Sequence, residues 1–323
     1  MDNDNFNQAP ANISTVIDLL EDKGVSWSEY QEDQPYSGFE GVAYVNQQTK
    51  ANDYVRKHNP AVIYNSVADK TDRLAKLKNF TMFYNDLNAK KLPQWMFITP
   101  NMSKSLPGSP FTSQILTISA ADDGHDTSVT YAGSWVRNFI TPLLKNPNFM
   151  SRTLVLITFD ESETYTSPNR ISGILLGDAV PANLVGTTDS NFYDHYSQIA
   201  TVEANWGLHT LGRWDVGANV YAFVAALTGD VVRKWTNPNF STVQLSSSYP
   251  GLFNSKNKNV PLPVPNTALV YNGRSVLPAI ISLWSKFQSQ SYYTSALEIP
   301  DGARPPVYPA KRSSAEKGEV RKS

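Results

Sequence analysis

A short apolar run, TLVLITF (153–159), constrains the fold most, because it lies between segments with a different periodicity. Strand-forming residues dominate this run, whereas its neighbours along the chain repeat apolar residues at helical spacing. The sequence predicts helices over 13–24, 72–92, 129–144 and 194–207, and strands over 94–100, 153–159 and 171–177. Helices that alternate with short buried strands are typical of the α/β class. We therefore expect a sheet sandwiched between helices.

Composition excludes several kinds of protein. Basic residues number 28 and acidic residues 29, so no overall charge draws the chain to nucleic acid or an anionic membrane. No apolar run reaches the roughly 18–20 residues that cross a bilayer. The chain has no cysteine, which excludes thiolate metal sites and cysteine nucleophiles. A signal peptide is not predicted, because Met1 precedes the polar segment DNDNFNQ. Sequons at Asn12, Asn79, Asn101 and Asn239 only hint at secretion.

Two acidic residues, Asp160 and Glu161, directly follow the predicted strand at 153–159. If that strand is central in a parallel sheet, its carboxyl end lies where α/β proteins collect their functional groups. The alternative is that both residues only solvate the strand end or cap the segment that follows. Neither interpretation is excluded by these residues alone.

Histidine next to aspartate occurs at two further element boundaries. His125 and Asp126 lie in the turn DDGHDTS before a helix, and Asp194 and His195 open another helix. Oxygen ligands with one or two imidazoles suit a divalent metal, and helix N-termini suit anions. This combination favours metal-assisted hydrolysis of a phosphate ester. The chain lacks G-x-S-x-G, G-x-x-x-x-G-K-[ST] and H-E-x-x-H motifs, so other common chemistries have less support.

Longer motifs resemble one family closely. The segments DGHDTSVTYAGSW, LVLITFDESETYT, ANDYVRKHNPAVIY and YDHYSQIATVEANWGLHTLGRWDVGANV are similar to fungal phosphate-repressible acid phosphatases. These belong to the phosphoesterase family, which also holds bacterial acid phosphatases and phospholipases C. The resemblance covers about residues 2–225. It implies an alkaline-phosphatase-like fold and hydrolysis of phosphate monoesters at acid pH, in a protein that is secreted or held in the cell wall.

The resemblance also implies roles for particular residues. Asp160 and Glu161 would bind a divalent metal of unknown identity, and small phosphate esters would be the substrates. The catalytic residues would be His125, Asp126 and His195. We expect phosphate-side roles for His58 and Asp194, although a structural turn histidine is an equal alternative for His58. His209, Arg213 and Glu203 are predicted to be structural.

One departure from the family bears on activity. The family's Glu-Asn metal-ligand motif and its Ser or Thr nucleophile would lie upstream of Met1. The sequence is therefore expected to be truncated at its N-terminus, with an incomplete sheet, and inactive as given. A phospholipase C-like phosphodiesterase and a non-catalytic relic remain the alternatives.

The predicted organisation has a phosphoesterase domain over 1–255, a C-terminal extension over 256–302 and a disordered tail over 303–323. Residues 104–120 interrupt the family match between TPNM and DDGHDTS. Codons for Ser103-Lys104 and Ala120-Ala121 can supply intron donor and acceptor signals, and the removal keeps the reading frame. We interpret this segment as a retained intron, with a substrate-specificity loop as the alternative.

Overall fold

The structure is a computed structural model that describes residues 8–47, 50, 52–101, 129–162, 169–235 and 262–297. Its helices are α1 (Val16–Asp22), α2 (Asn65–Ala68), α3 (Thr71–Leu74), α4 (Phe80–Asn88), α5 (Val129–Leu143), α6 (Pro147–Met150), α7 (His195–Trp206), α8 (Ala222–Thr228) and α9 (Pro278–Trp284). Its strands are β1 (Trp27–Gln31), β2 (Ala43–Val45), β3 (Asn52–Val55), β4 (Leu77–Asn79), β5 (Trp95–Thr99), β6 (Val155–Thr158), β7 (Gly173–Leu176), β8 (Val270–Tyr271) and β9 (Arg274–Ser275).

A three-stranded parallel sheet with the order β4-β1-β5 organises the first half of the chain. In its register Glu29 lies opposite Leu77 on one side and Phe97 on the other. Parallel neighbours need crossover connections, and helices lie between these strands along the chain. This sheet confirms the predicted α/β class and the predicted strand at 94–100, whereas the sequence analysis missed β1, the central strand.

Strand β1 is buried on both faces, so the sheet separates two apolar cores. Trp27 packs into a first core, which also contains Leu19 and Leu20 of α1. Tyr30 packs into a second core with Phe83 of α4 and Ile140 of α5. Because successive residues of a strand point to opposite faces, these two residues place helices on both sides of this sheet. Layers of this kind agree with the predicted sheet between helices.

The helix predicted over 72–92 is wrong as a single element. The chain there forms α3, then β4, then α4. Leu77 lies fully buried in β4, and the Asn79 side chain accepts a hydrogen bond from the N–H of Met82 to begin α4. Apolar residues at helical spacing fitted one helix, but pairing with β1, distant in sequence, decides the backbone of residues 77–79.

Strands β6 and β7 form where the sequence predicted strands, but their pairing differs from the expectation. Among the described residues β6 pairs with β7 alone, and this pair is antiparallel. A central position for β6 in a parallel sheet is therefore wrong for this part of the structure. Asp160 and Glu161 still follow the strand closely, after Phe159, at the loop end of the hairpin.

The helices predicted around residues 13–24 and 194–207 are confirmed, and side-chain caps explain where they begin. Thr15 and Asp18 form a capping box at the start of α1, with the Thr15 oxygen 3.2 Å from the N–H of Ile17. Asp194 and Ser197 do the same for α7, and Gly207 ends that helix in the left-handed conformation. Such caps satisfy N–H groups that have no partner inside the helix.

The described residues beyond 255 belong to the same body as the N-terminal helix. Leu262, Val276 and Ile280 join the first core. The indole N–H of Trp284 donates to the carbonyl of Asn12 at 3.2 Å. The predicted domain boundary stays a prediction, and residues 303–323 lie outside the described residues, as do residues 104–120. In the described part, no helix combines the length and the apolar character that crossing a membrane requires.

Candidate active site

The end of β6 and the start of α7 meet, which brings three predicted site residues together. Ring atom Nε2 of His195 lies 2.7 Å from the main-chain carbonyl oxygen of Asp160. The side chains of Asp160, Glu161 and His195 are all exposed. This contact fixes the imidazole beside the acid pair and leaves both carboxylates open to solvent, where they can bind a ligand.

The side chain of Asp194 caps α7 and thereby positions His195, the first residue of that helix. Its carboxylate accepts from the N–H of Ser197 at 3.1 Å, and the Ser197 hydroxyl accepts from the N–H of Asp194 at 3.2 Å. Burial raises the pKa of Asp194 to about 6, although these hydrogen bonds and the His195 charge oppose the shift. The capping box therefore sets the first turn of α7, on which His195 is the first residue.

A buried pair of acids anchors the other end of α7. Glu203 and Asp215 are 1% and 2% exposed, and the Asp215 carboxylate accepts from the N–H groups of Leu211 at 2.7 Å and Arg213 at 2.8 Å. Burial raises the pKa of both side chains. The two N–H donors stabilise the ionised form of Asp215. When the two carboxyl groups share one proton, that proton therefore belongs on Glu203. This agrees with the structural role predicted for Glu203.

His209 and Arg213 are also structural, as predicted. The His209 ring lies 3.1 Å from the carbonyl of Ser275, which ties the segment after α7 to β9. The guanidinium of Arg213 donates to the carbonyl of Pro263 at 2.8 Å and to the Tyr293 hydroxyl at 3.0 Å. Both side chains connect residues near α7 to the C-terminal part of the fold.

A second group of polar side chains lies at the carboxyl ends of β1 and β5. With a few apolar neighbours they line a shallow, open cleft. Its lining residues come from β1, β3, β5 and the segments that follow them: Gln31, Glu32, Asp33, Asp53, Tyr54, Val55, His58, Thr99, Pro100 and Asn101. The carboxyl end of parallel strands is where α/β folds bind ligands. The cleft contains His58, one of the predicted phosphate-side residues.

Glu32 is the most strongly held acid of this cleft. It accepts from the N–H of Asn101 at 2.7 Å and from the indole N–H of Trp135 at 3.1 and 3.2 Å. Burial, helped by the charges of Asp33 and Asp53, raises the pKa of Glu32 to about 7 against these hydrogen bonds. Burial and Asp53 also raise the pKa of Asp33. The carboxyl group of Glu32 is therefore mostly neutral at acid pH.

His58 ends a short 3-10 helix, Arg56–His58, which follows β3 directly. The next residue, Asn59, is fully buried and accepts from the N–H of Val62 at 3.2 Å. Its amide donates to Gln34 and to the Tyr54 hydroxyl, each at 3.2 Å. Asn59 thus supports this turn, and the half-buried His58 lines the cleft, so both alternatives for His58 stay predictions.

The remaining predicted residues, His125 and Asp126, lie outside the described residues. The chain leaves the described part at Asn101, the last residue of the cleft, and re-enters it at Val129, the first residue of α5. Asp160 and Glu161 have the oxygen donors that hard divalent ions prefer. Within the described part, however, no three His, Asp or Glu residues lie close enough together to hold a metal ion. The predicted metal site at these two carboxylates therefore stays a prediction.

Comparison with known sequences decides the family. The profile of the Phosphoesterase family matches residues 1–209. The chain belongs to the phosphoesterase family. This phosphoesterase is 52% identical over 251 residues to an acid phosphatase of Aspergillus fumigatus, a match covering 78% of the chain and 52% of the relative.

Two further relatives have similar names. A probable acid phosphatase of Kluyveromyces lactis is 46% identical over 301 residues, which is 91% of this chain and 66% of the relative. A phosphate-repressible acid phosphatase of Penicillium chrysogenum is 48% identical over 267 residues, or 83% and 59%. This phosphoesterase thus spans about half to two thirds of the length of the curated relatives it matches. No solved structure matches it.

Sequence reasoning missed the cleft acids Glu32, Asp33 and Asp53. A signal for the first two was present, because WSEYQ is followed by Glu-Asp just as LVLITF is followed by Asp-Glu. The segment WSEYQ was not recognised as a strand, so its acids were not placed at a strand end. Asp53 lies near Glu32 and Asp33 because of the position of the β2–β3 hairpin, and no short sequence motif predicts that position.

Proposed function

We propose that this phosphoesterase hydrolyses phosphate monoesters as an acid phosphatase and releases inorganic phosphate. The observation that carries the proposal is an identity of 46–52% to three curated fungal acid phosphatases over most of this chain. The names of these relatives specify phosphatases rather than phosphodiesterases, which favours monoesters. The described site supports the proposal with exposed carboxylates, an imidazole and a polar cleft at strand ends.

We assign the metal-binding role to Asp160 and Glu161, with further ligands from outside the described residues. Their exposed oxygens at one strand end suit a hard divalent ion. A bound divalent ion would supply Lewis-acid stabilisation of the charge that develops on the phosphoryl oxygens. The identity of the ion is left open by this donor set.

The other residues act through position and proton transfer. His195 is held by the carbonyl of Asp160 and by the capped first turn of α7, so its ring can exchange a proton or donate a hydrogen bond beside the acid pair. His58 is assigned to the phosphate side from the cleft, and Asp194 acts by fixing His195. His125 and Asp126 keep the catalytic roles that the family resemblance implies. Extracellular location is likewise part of this proposal and rests on that resemblance.

Substitution of the acid pair tests the proposal. Asp160→Asn and Glu161→Gln should each lower turnover of an aryl phosphate at acid pH by at least about a hundredfold, because charge stabilisation in the transition state is lost. The matched control is Asp178→Asn, which changes an exposed aspartate at the other end of the β6–β7 hairpin and should leave turnover unchanged. Thermal melting of each variant should match that of the unsubstituted chain.

Two results would contradict this proposal. Turnover close to wild type in Asp160→Asn or Glu161→Gln would remove the metal assignment. Absence of turnover in the unsubstituted chain, with divalent ions supplied, would contradict the proposed activity and bear out the expectation that the sequence is inactive as given.

A further inference from the structure

One buried carboxyl group, that of Glu32, joins three elements at the carboxyl end of the parallel sheet. Glu32 directly follows β1, and its oxygen accepts from the main-chain N–H of Asn101, two residues after β5. Both of its oxygens also accept from the indole N–H of Trp135 on α5. A single side chain thus connects the end of β1, the exit of β5 and the first half of α5.

The two partners of Glu32 are themselves firmly placed. The side-chain amide of Asn101 donates to the carboxylate of Asp33, so Asn101 is held through both its main chain and its side chain. The indole of Trp135 stacks on Phe139 with centroids 4.9 Å apart and an angle of 17° between the planes. Little freedom remains in this arrangement once Glu32 has bound both groups.

Stability alone explains this arrangement poorly. Asp33 and Asp53 face Glu32 from the end of β1 and from β3, and both raise the cost of its charge. Among the described residues, Tyr84 of α4 and the cleft residues Tyr54 and His58 are further titratable groups near Glu32, and Asn101 and Trp135 are neutral. An apolar residue would join the same elements without this repulsion. Local costs of this kind concentrate at functional sites.

We propose that Glu32 is a positioning residue for the polar cleft at the carboxyl end of the parallel sheet, because it fixes Asn101 of that cleft and Trp135 beside it. The inference rests on the proposed function for its catalytic meaning. The contacts themselves involve only described residues. Glu32 acts through Asn101 and Trp135 and is not assigned a contact with substrate.

The Trp135 indole proton offers a direct readout that needs no turnover. In the 323-residue chain labelled with 15N at its tryptophan indoles, seven signals are expected, and Trp135→Phe identifies one of them. That signal should titrate with a midpoint near the pKa of Glu32, about 7. Glu32→Gln should abolish the titration, and Glu32→Asp should retain part of it.

Glu29→Gln is the matched control, since Glu29 is a buried glutamate of β1, the strand that Glu32 follows, and its hydrogen bonds are with the Ala61 backbone and the Gln31 side chain. Glu29→Gln should leave the Trp135 signal and its titration unchanged. Glu32→Gln should also speed hydrogen exchange in peptides covering 95–101 and 129–143, with no such change in Glu29→Gln. An unchanged Trp135 signal in Glu32→Gln, or equal effects of the two substitutions, would overturn the proposal.

Kinetics separate this inference from the proposed function. With an aryl phosphate at acid pH, where the Glu32 carboxyl is protonated, Glu32→Leu should lower kcat more than tenfold and change KM less than threefold. Glu32→Gln keeps an acceptor oxygen and should regain part of kcat. Loss of the indole titration with unchanged kcat in Glu32→Leu would overturn the positioning role while leaving the phosphatase proposal intact. A wild-type chain that shows the titration but no turnover would contradict the proposed function and leave the Glu32 contacts standing.

Discussion

Because Glu29 is buried, we expect the fold to lose stability as the pH rises toward neutrality. This side chain lies in the middle of β1, is 2% exposed, and has its pKa raised to about 8 by burial, which the N–H of Ala61 only partly offsets. In the unfolded chain the same carboxyl titrates near its ordinary value of 4.5. The folded state therefore binds an extra proton between these two values. The contribution of Glu29 to the free energy of unfolding is fully present below about 4.5 and is lost as the pH rises toward 8.

The size of the effect follows from these two pKa values. Keeping Glu29 protonated costs roughly 1 kcal/mol at pH 5 and roughly 3 kcal/mol at pH 7. The free energy of unfolding should therefore fall by about 2–2.5 kcal/mol between those pH values from Glu29 alone. A folded pKa one unit lower would change this fall in the free energy of unfolding little, because the cost of protonating Glu29 near neutrality is set mainly by its pKa in the unfolded chain.

Glu29→Gln isolates the contribution, since glutamine has nearly the same shape and does not titrate. Urea unfolding of both proteins at about pH 5, 6 and 7 should give curves that converge or cross as the pH rises. Between pH 5 and pH 7 the free energy of unfolding should fall by about 2–2.5 kcal/mol more in the unsubstituted chain than in Glu29→Gln, whatever the absolute effect of the substitution. Parallel curves over this range would refute the burial argument, because they would mean that Glu29 ionises in the folded protein as easily as in the unfolded chain.

Two further substitutions test local contacts. Asn79→Ala removes the cap of α4 and the hydrogen bond to the carbonyl of Gln34 at 3.1 Å. The free energy of unfolding should therefore fall by about 1–2 kcal/mol. The control, Asn85→Ala at an exposed position of the same helix, should change the free energy of unfolding by less than about 0.5 kcal/mol. Urea unfolding measures both, and equal effects would contradict the capping role. Asp230→Ala leaves the buried guanidinium of Arg274 without its partner at 2.6 Å and should cost about 3–5 kcal/mol. A loss below about 1 kcal/mol, comparable to that of an exposed ion pair, would show that Arg274 finds another partner or reaches water.

Helix ends could be predicted from sequence because their causes are local. Thr15 and Asp194 each bond to an N–H group two or three residues further along, so the cap is visible within a short window. Asp160 and Glu161 were also found in this way, since they directly follow a strand. The alkaline-phosphatase-like arrangement of the whole sheet remains a proposal, because it concerns strands beyond such windows.

The missed features depend on partners far away in the chain. Strand β1 carries Glu29 and Gln31 inside the fold beside Trp27 and Tyr30, so it lacks the alternation that marks a strand. Leu77 belongs to β4 because β1 pairs with it. Glu32 acquires its raised pKa from burial and from Asp33 and Asp53, and it is tied to Trp135, 103 residues later. No pattern of neighbouring residues contains that information.

The hydrogen bond from Trp284 to the carbonyl of Asn12 joins residues 272 positions apart and has a consequence for the order of folding. During synthesis Leu19 and Leu20 leave the ribosome long before Leu262, Val276, Ile280 and Trp284, which complete their core. At roughly 5–20 residues per second, the apolar face of α1 waits more than about ten seconds for these partners. Over that interval the nascent chain exposes surface that chaperones bind, so its yield in cells should depend on them more than its final stability suggests.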